Sequence, residues 1–225
     1  MKRSFTVFFL AALAASARAQ SAASSYPFKP VPLADSAEIS LAVSAAPPEV
    51  SGQATVYAVR DGKVLTLRTG SSGVACMVGR DLHEGSLYPI CFNAEGARTA
   101  LQRELLQLRL RSLGVAEDSI DRVVTSAYAR GELGVPRELA VAYMMSPRQV
   151  LFSSPAATGR RVGAWHPHLM FYVPGATPAK FGLGDDDSGF PIQVGSAGTP
   201  QAEMIVKLPK WADGTPVASA GKDHD

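Results

Sequence analysis

The sequence predicts an α+β protein: an antiparallel sheet formed by an N-terminal meander and C-terminal strands, with an αα-hairpin inserted between them. Three observations predict it. Apolar residues alternate with period 2 through 54–92 and are punctuated by turn residues. Leucines then recur at helical spacing through 101–113. Short period-2 runs return after Pro136. Strands, then helices, then strands is the order of a segregated α+β domain rather than of βαβ units.

The chain opens with Lys2 and Arg3, an apolar run from Phe5 to Ala15 interrupted only by Thr6, and the small-x-small site Ala17-Arg18-Ala19. This is the layout of a secretory signal peptide over residues 1–19, and the run is too short to span a bilayer. The expectation is export, cleavage near Ala19, and a mature chain that starts at Gln20 and is soluble in the periplasm or secreted. The whole chain has 22 Lys+Arg against 20 Asp+Glu. Lys2, Arg3 and Arg18 leave with the leader, so 19 basic residues face 20 acidic ones and the net charge becomes about −1. A nucleic-acid binder keeps a basic patch; here the bases are scattered among acids, so nucleic acid is not expected as a partner. The first cysteine is Cys76, so no lipid-anchor cysteine stands near the cleavage site, and no later apolar run approaches 18 residues, so no membrane span is expected.

Residues 20–35, small and proline-bearing, read as a flexible N-terminal arm; 36–211 read as a single domain and 212–225 as a disordered tail. Glu38 to Ser44 forms a short helix or strand, stopped at Ala45-Ala-Pro-Pro48. Ala54–Arg60 and Lys63–Arg68 flank Asp61-Gly62, the signature of a tight hairpin, because both central residues of a type I′ turn need positive φ. Thr69–Gly73 is a second turn. Strands around Cys76 and Cys91 follow, so 54–92 reads as a four-stranded antiparallel meander. If these last two strands pair about His83-Glu84, Cys76 and Cys91 face each other and form a structural disulfide, the default for an isolated pair in an oxidising compartment.

Asn93 is a helix N-cap with Glu95 in the first turn. Leu101, Leu105 and Leu108 share a face, widened by Leu106, Leu110 and Leu113, and Gly114 ends that helix. Glu117 and Asp118 open a second one with Ile120, Val123, Val124 and Ala127 as its buried stripe and Gly131 as its stop. Leu139–Met145, Gln149–Ser153, His168–Val173 and Ala202–Leu208 are the later strands, with 174–200 a long surface loop.

The strongest chemical signal is Ala164-Trp-His-Pro-His-Leu-Met-Phe-Tyr-Val-Pro174. On an extended chain His166 and His168 point to one face, which suits Zn or Cu if a third ligand joins them; His83, an Asp of 185–187 or a distant Glu would serve. The competing readings are a sheet-edge strand with hydrogen-bonded histidines, and a ligand pocket lined by His168, Met170 and Tyr172 with Trp165 beside them. Gly184-Asp-Asp-Asp-Ser-Gly189 lacks the glutamate that closes a calcium loop, Gly70-Ser-Ser-Gly73 and Gly195-Ser-Ala-Gly198 are a residue short of a nucleophile elbow, and no phosphate-binding or zinc-protease motif occurs.

Ser44-Ala-Ala-Pro47, Gly73–Arg80, Tyr88–Phe92, Ala142–Ser146 and Pro167–Tyr172, read together, resemble a set of exported bacterial proteins of unknown function. The resemblance implies a bacterial source and carries no activity or site residues. The functional expectation is a non-catalytic binding or envelope-associated module, without a required cofactor, whose partner is a small molecule or an envelope protein. A Zn- or Cu-dependent protein centred on His166 and His168 is the second reading, and a hydrolase with a site that matches no known motif is the third.

Overall fold

The computed structural model describes residues 33–81, 86–152, 161–163, 165–184 and 191–217. The leader, most of the N-terminal arm, His83, the aspartates of 185–187 and the end of the tail lie outside the described residues.

The molecule is α+β. Two short helices, α1 (Asp35–Val43) and α2 (Pro48–Ser51), lead into β1 (Thr55–Arg60), β2 (Lys63–Arg68), β3 (Ala75–Asp81) and β4 (Ser86–Phe92). Three helices follow: α3 (Ala94–Arg98), α4 (Ala100–Ser112) and α5 (Glu117–Ala129). The later strands are β5 (Val141–Met144), β6 (Leu151–Phe152), β7 (Arg161–Gly163), β8 (His168–Tyr172), β9 (Ile192–Gly195) and β10 (Glu203–Lys207). Eight of them form one sheet in the order β2-β1-β3-β4-β5-β8-β10-β9, and β6 and β7 pair separately.

The hairpin is as expected: Asp61 and Gly62 take φ of 50° and 71°, the left-handed pair a type I′ turn requires. The meander is not. β3 pairs with β1, in parallel, rather than with β2, so the first four strands run 2-1-3-4. The reason lies in burial. Lys63 to Arg68 is exposed or half-buried along its whole length, an edge strand with charged ends. The Ala75–Val78 run is buried on both faces, as a central strand must be. The chain reaches the far side of β1 by crossing its start. There Gln53 O accepts from the amides of Ser71 and Ser72, Thr55 N donates to Val74 O, and Arg68 donates to Ala54 O and Ser51 O. Gly70 lies flat on this crossing; a Cβ there would stand 2.2–2.4 Å from the backbone of 53–55.

Two layers cover the sheet. On one face α1 and the turn after it pack Leu41, Ala42, Ala45 and Ala46 against Val56, Cys76, Val78 and Cys91. It is anchored by the buried ion pair of Glu38 with Arg80 at 2.9 Å, with Arg60 reaching Asp35 at 2.6 Å. On the other face α4 packs Leu101, Leu105 and Leu108 against Val59, Met77, Ile90 and Phe92. Asn93 caps α3 as expected, accepting from Gly96 N, but the helix then breaks at Thr99 (φ −121°, ψ −82°) before α4 begins. α5 packs Ile120, Val124 and Ala127 against Leu106 and Leu110, whereas Leu113 and Val123 are exposed.

Cys76 and Cys91 are directly paired across β3–β4 and are joined by a disulfide. The segment 174–200 is not a plain loop: it carries a 3₁₀ turn at Pro178–Phe181 and the edge strand β9, which is only four residues long and framed by Pro191 and Gly195. β7 is three residues long and likewise shows no periodicity in the sequence. Residues 212–217 fold back as a turn, with Ala212 N donating to Met145 O and Trp211 N to Thr215 O.

Two outcomes follow. Reduction of Cys76–Cys91, which closes 15 residues of separation, should cost about 3 kcal/mol in denaturant melts, with the intact mass of the native protein showing no free thiol. Gly70→Ala should cost at least about 2 kcal/mol by forcing the crossing apart, while Gly134→Ala, whose added Cβ meets nothing nearer than 3.8 Å, should stay near wild type.

Candidate functional site

α4 covers the β1–β3 side of its face and stops short of the far strands, which leaves a cavity of about 430 Å³ over β4, β5, β8, β10 and β9. That volume suits a small organic ligand. Strand alternation puts its walls in place. Tyr88 and Ile90 come from β4, Met144 from β5, His168 and Met170 from β8, and Glu203, Ile205 and Lys207 from β10, each pair or triplet spaced by two. Gln193 closes the β9 side, and Arg103 and Glu104 descend from α4. Trp165 and His166 enter from the stretch before β8. The Trp165 ring sits 5.3 Å from Tyr88 at 51°, and its carbonyl is held by Gln149 Nε2 at 2.9 Å.

Of the residues picked out from the sequence, His166, His168, Met170 and Trp165 line this one cavity. Tyr172 lies beneath its floor, buried and under the Arg103 guanidinium, whose carbon is 5.7 Å from the ring centre. Cys76 and Cys91 are on the opposite face, under α1. His83 lies outside the described residues. Among the described residues no group of three His, Cys, Asp or Glu side chains is placed to hold a metal ion.

The two histidines differ. His166 is exposed at the mouth, whereas His168 is buried, its Nδ1 2.7 Å from His166 O. A carbonyl can only accept, so Nδ1 carries the proton and Nε2 keeps its lone pair. Burial pushes the His168 pKa down, only partly offset by that hydrogen bond, so the ring is neutral at neutral pH.

The charged floor has no counterpart in the sequence reading. Arg103 is buried. Burial works against its charge, but the neighbouring Glu104 carboxylate overcomes this and holds it firmly protonated. Its terminal nitrogens donate to Glu104 and to Gln201 Oε1. Glu203 stands opposite both Tyr172 and Gly195 in the ladder; a Cβ on Gly195 would lie 2.3 Å from Glu203 Oε1, so the glycine makes the room this carboxyl occupies. Burial raises the Glu203 pKa, against the pull of Arg103. Tyr172 is also pushed up by burial. Two signals for these residues are visible in hindsight. Glu203-Met-Ile-Val-Lys207 places its two charges four residues apart, on one face of a strand, and Arg103 follows buried Ala100 by one helical turn.

Comparison with protein-family models, curated proteins and solved structures finds no match.

The Glu203 shift has a sign in stability. A carboxyl whose folded pKa exceeds its unfolded value binds its proton more tightly in the native state, so stability falls as pH rises from the unfolded pKa through the folded one. Glu203→Gln should therefore melt higher than wild type at neutral pH, with the difference closing towards about pH 4. Thermal melts of both proteins across that range test it, and a variant that melts below wild type at neutral pH contradicts it.

Proposed function

We propose that this chain is an exported, disulfide-bonded binding module that holds a small molecule with a largely apolar body and one polar end. The cavity is the observation that carries this reading. Aromatic and thioether side chains make its walls and a few charged groups converge at its floor, the composition of ligand sites in general. Tyr88 and Trp165 offer ring faces, while Met144 and Met170 supply adaptable, polarisable contacts. Export is supported by the leader, and the Cys76–Cys91 bridge suits an oxidising compartment.

Filling the cavity tests the proposal. A panel of naphthalene-sized compounds should include ones that quench Trp165 fluorescence saturably. At a concentration a hundredfold above Kd such a ligand should stabilise the fold by about 2.7 kcal/mol. Ile205→Trp, which places an indole in the cavity, should abolish both effects while the protein stays folded. A panel that neither quenches nor stabilises overturns the reading.

A further inference from the structure

Three buried polar atoms at or beneath the floor of the cavity have no hydrogen-bond partner among the described residues: Arg103 Nε, Tyr172 OH and Glu203 Oε2. They are neighbours, since Glu203 and Tyr172 are directly paired across β10–β8 and Arg103 lies over the Tyr172 ring. Each such atom costs free energy unless something completes it. A guanidinium nitrogen can only donate, and a phenol donates readily. The Glu104 charge is already spent on Arg103. Lys207 adds a cation four residues along β10 from Glu203. The floor therefore presents donors and positive charge to whatever enters, and the group that matches several donors at once is an oxyanion.

We propose that this floor recognises a carboxylate, so that the ligand is a small carboxylic acid with an aromatic or aliphatic body. The inference rests on the binding reading above and gives it a substrate class. The ligand carboxylate accepts from Arg103 Nε, Lys207 offsets its charge, and its body lies between Met170, Ile205 and the Tyr88–Trp165 rings. Glu203 takes part as the neutral acid, donating its proton to the ligand's oxygen. Binding then needs that proton and weakens as Glu203 ionises. The groups that face Glu203 are Arg103 and Glu104 from α4, Tyr128 from α5, Tyr172 from β8 and Ser196 after β9. His168 lies opposite Lys207 further along the same pair of strands.

Calorimetric titration of the folded, disulfide-bonded protein with 2-naphthoate, 2-naphthamide and 2-naphthylmethylamine separates the outcomes. The carboxylate should bind about tenfold to a hundredfold more tightly than the amide, the range expected for hydrogen bonds to a charged group, and the amine should bind weakest. Naphthoate affinity should fall as pH rises above the ordinary carboxylate range, where the naphthoate itself stays ionised. In Glu203→Gln, which keeps a donor in place, that fall should vanish while binding persists. Lys207→Met, at a half-buried position, should lose several-fold in naphthoate affinity with little change for the amide. Equal binding of carboxylate and amide, or preference for the amine, overturns the carboxylate assignment and leaves the binding reading standing. A pH dependence that survives Glu203→Gln overturns the role given to Glu203. No binding of any of the three overturns the binding reading, and this inference with it.

Discussion

A guanidinium placed out of water has to be compensated where it stands, and the far half of this protein is arranged around that requirement at Arg103. The desolvation of one such ion costs several kcal/mol before partners are counted. The partners come from three separate parts of the chain: Glu104 from the same helix, Gln201 from the approach to β10, and the Tyr172 ring from β8. Satisfying one charge thus ties the Arg103 side chain to the β8 and β10 side of the sheet. The cavity lies beside that contact, over β4, β5, β8, β10 and β9.

The near half supplies rigidity. β3 and β4 are buried between α1 and α4, bridged by Cys76–Cys91, and closed by the Glu38–Arg80 pair on the α1 side. β4 belongs to both halves. Phe92 is in the core under α4, while Tyr88 and Ile90 of the same strand face reach the cavity. Side chains that grow from a doubly covered strand lose little freedom when a ligand arrives, which is the condition for a preorganised site. The polar floor, by contrast, sits towards the open edge, on β10 beside the edge strand β9. Wall and floor are therefore built on different supports, one packed and one half-exposed.

Much of the fold was legible in the sequence because its signals were local. Asp61-Gly62 specifies a turn whatever surrounds it, Asn93 caps a helix through its own side chain, and Cys76 and Cys91 are brought together by a hairpin. The parallel β1–β3 pairing was hidden, since it depends on a crossing held by Arg68 and Gly70 rather than on any alternation. β7 and β9 are too short to show a period. The site divides in the same way. His166, His168, Met170 and Trp165 stood out because they cluster on one stretch of chain, and they do share a cavity. Arg103, Glu104 and Glu203 did not stand out, because each looks like an ordinary charge on an amphipathic helix or strand. Only the placement of Arg103 over Tyr172 and beside Gln201 shows that these charges are held where water is scarce.

The central claim is that Arg103 is a buried charge beside the cavity with one donor, Nε–H, that has no partner among the described residues. Two-dimensional ¹H–¹⁵N spectra in the arginine Nε region measure this directly. The account predicts one Nε–H resonance that exchanges slowly with solvent, is lost in Arg103→Lys, and shifts when 2-naphthoate is added. An Arg103 Nε–H that exchanges as fast as those of exposed arginines such as Arg122, and that does not move with ligand, would contradict it.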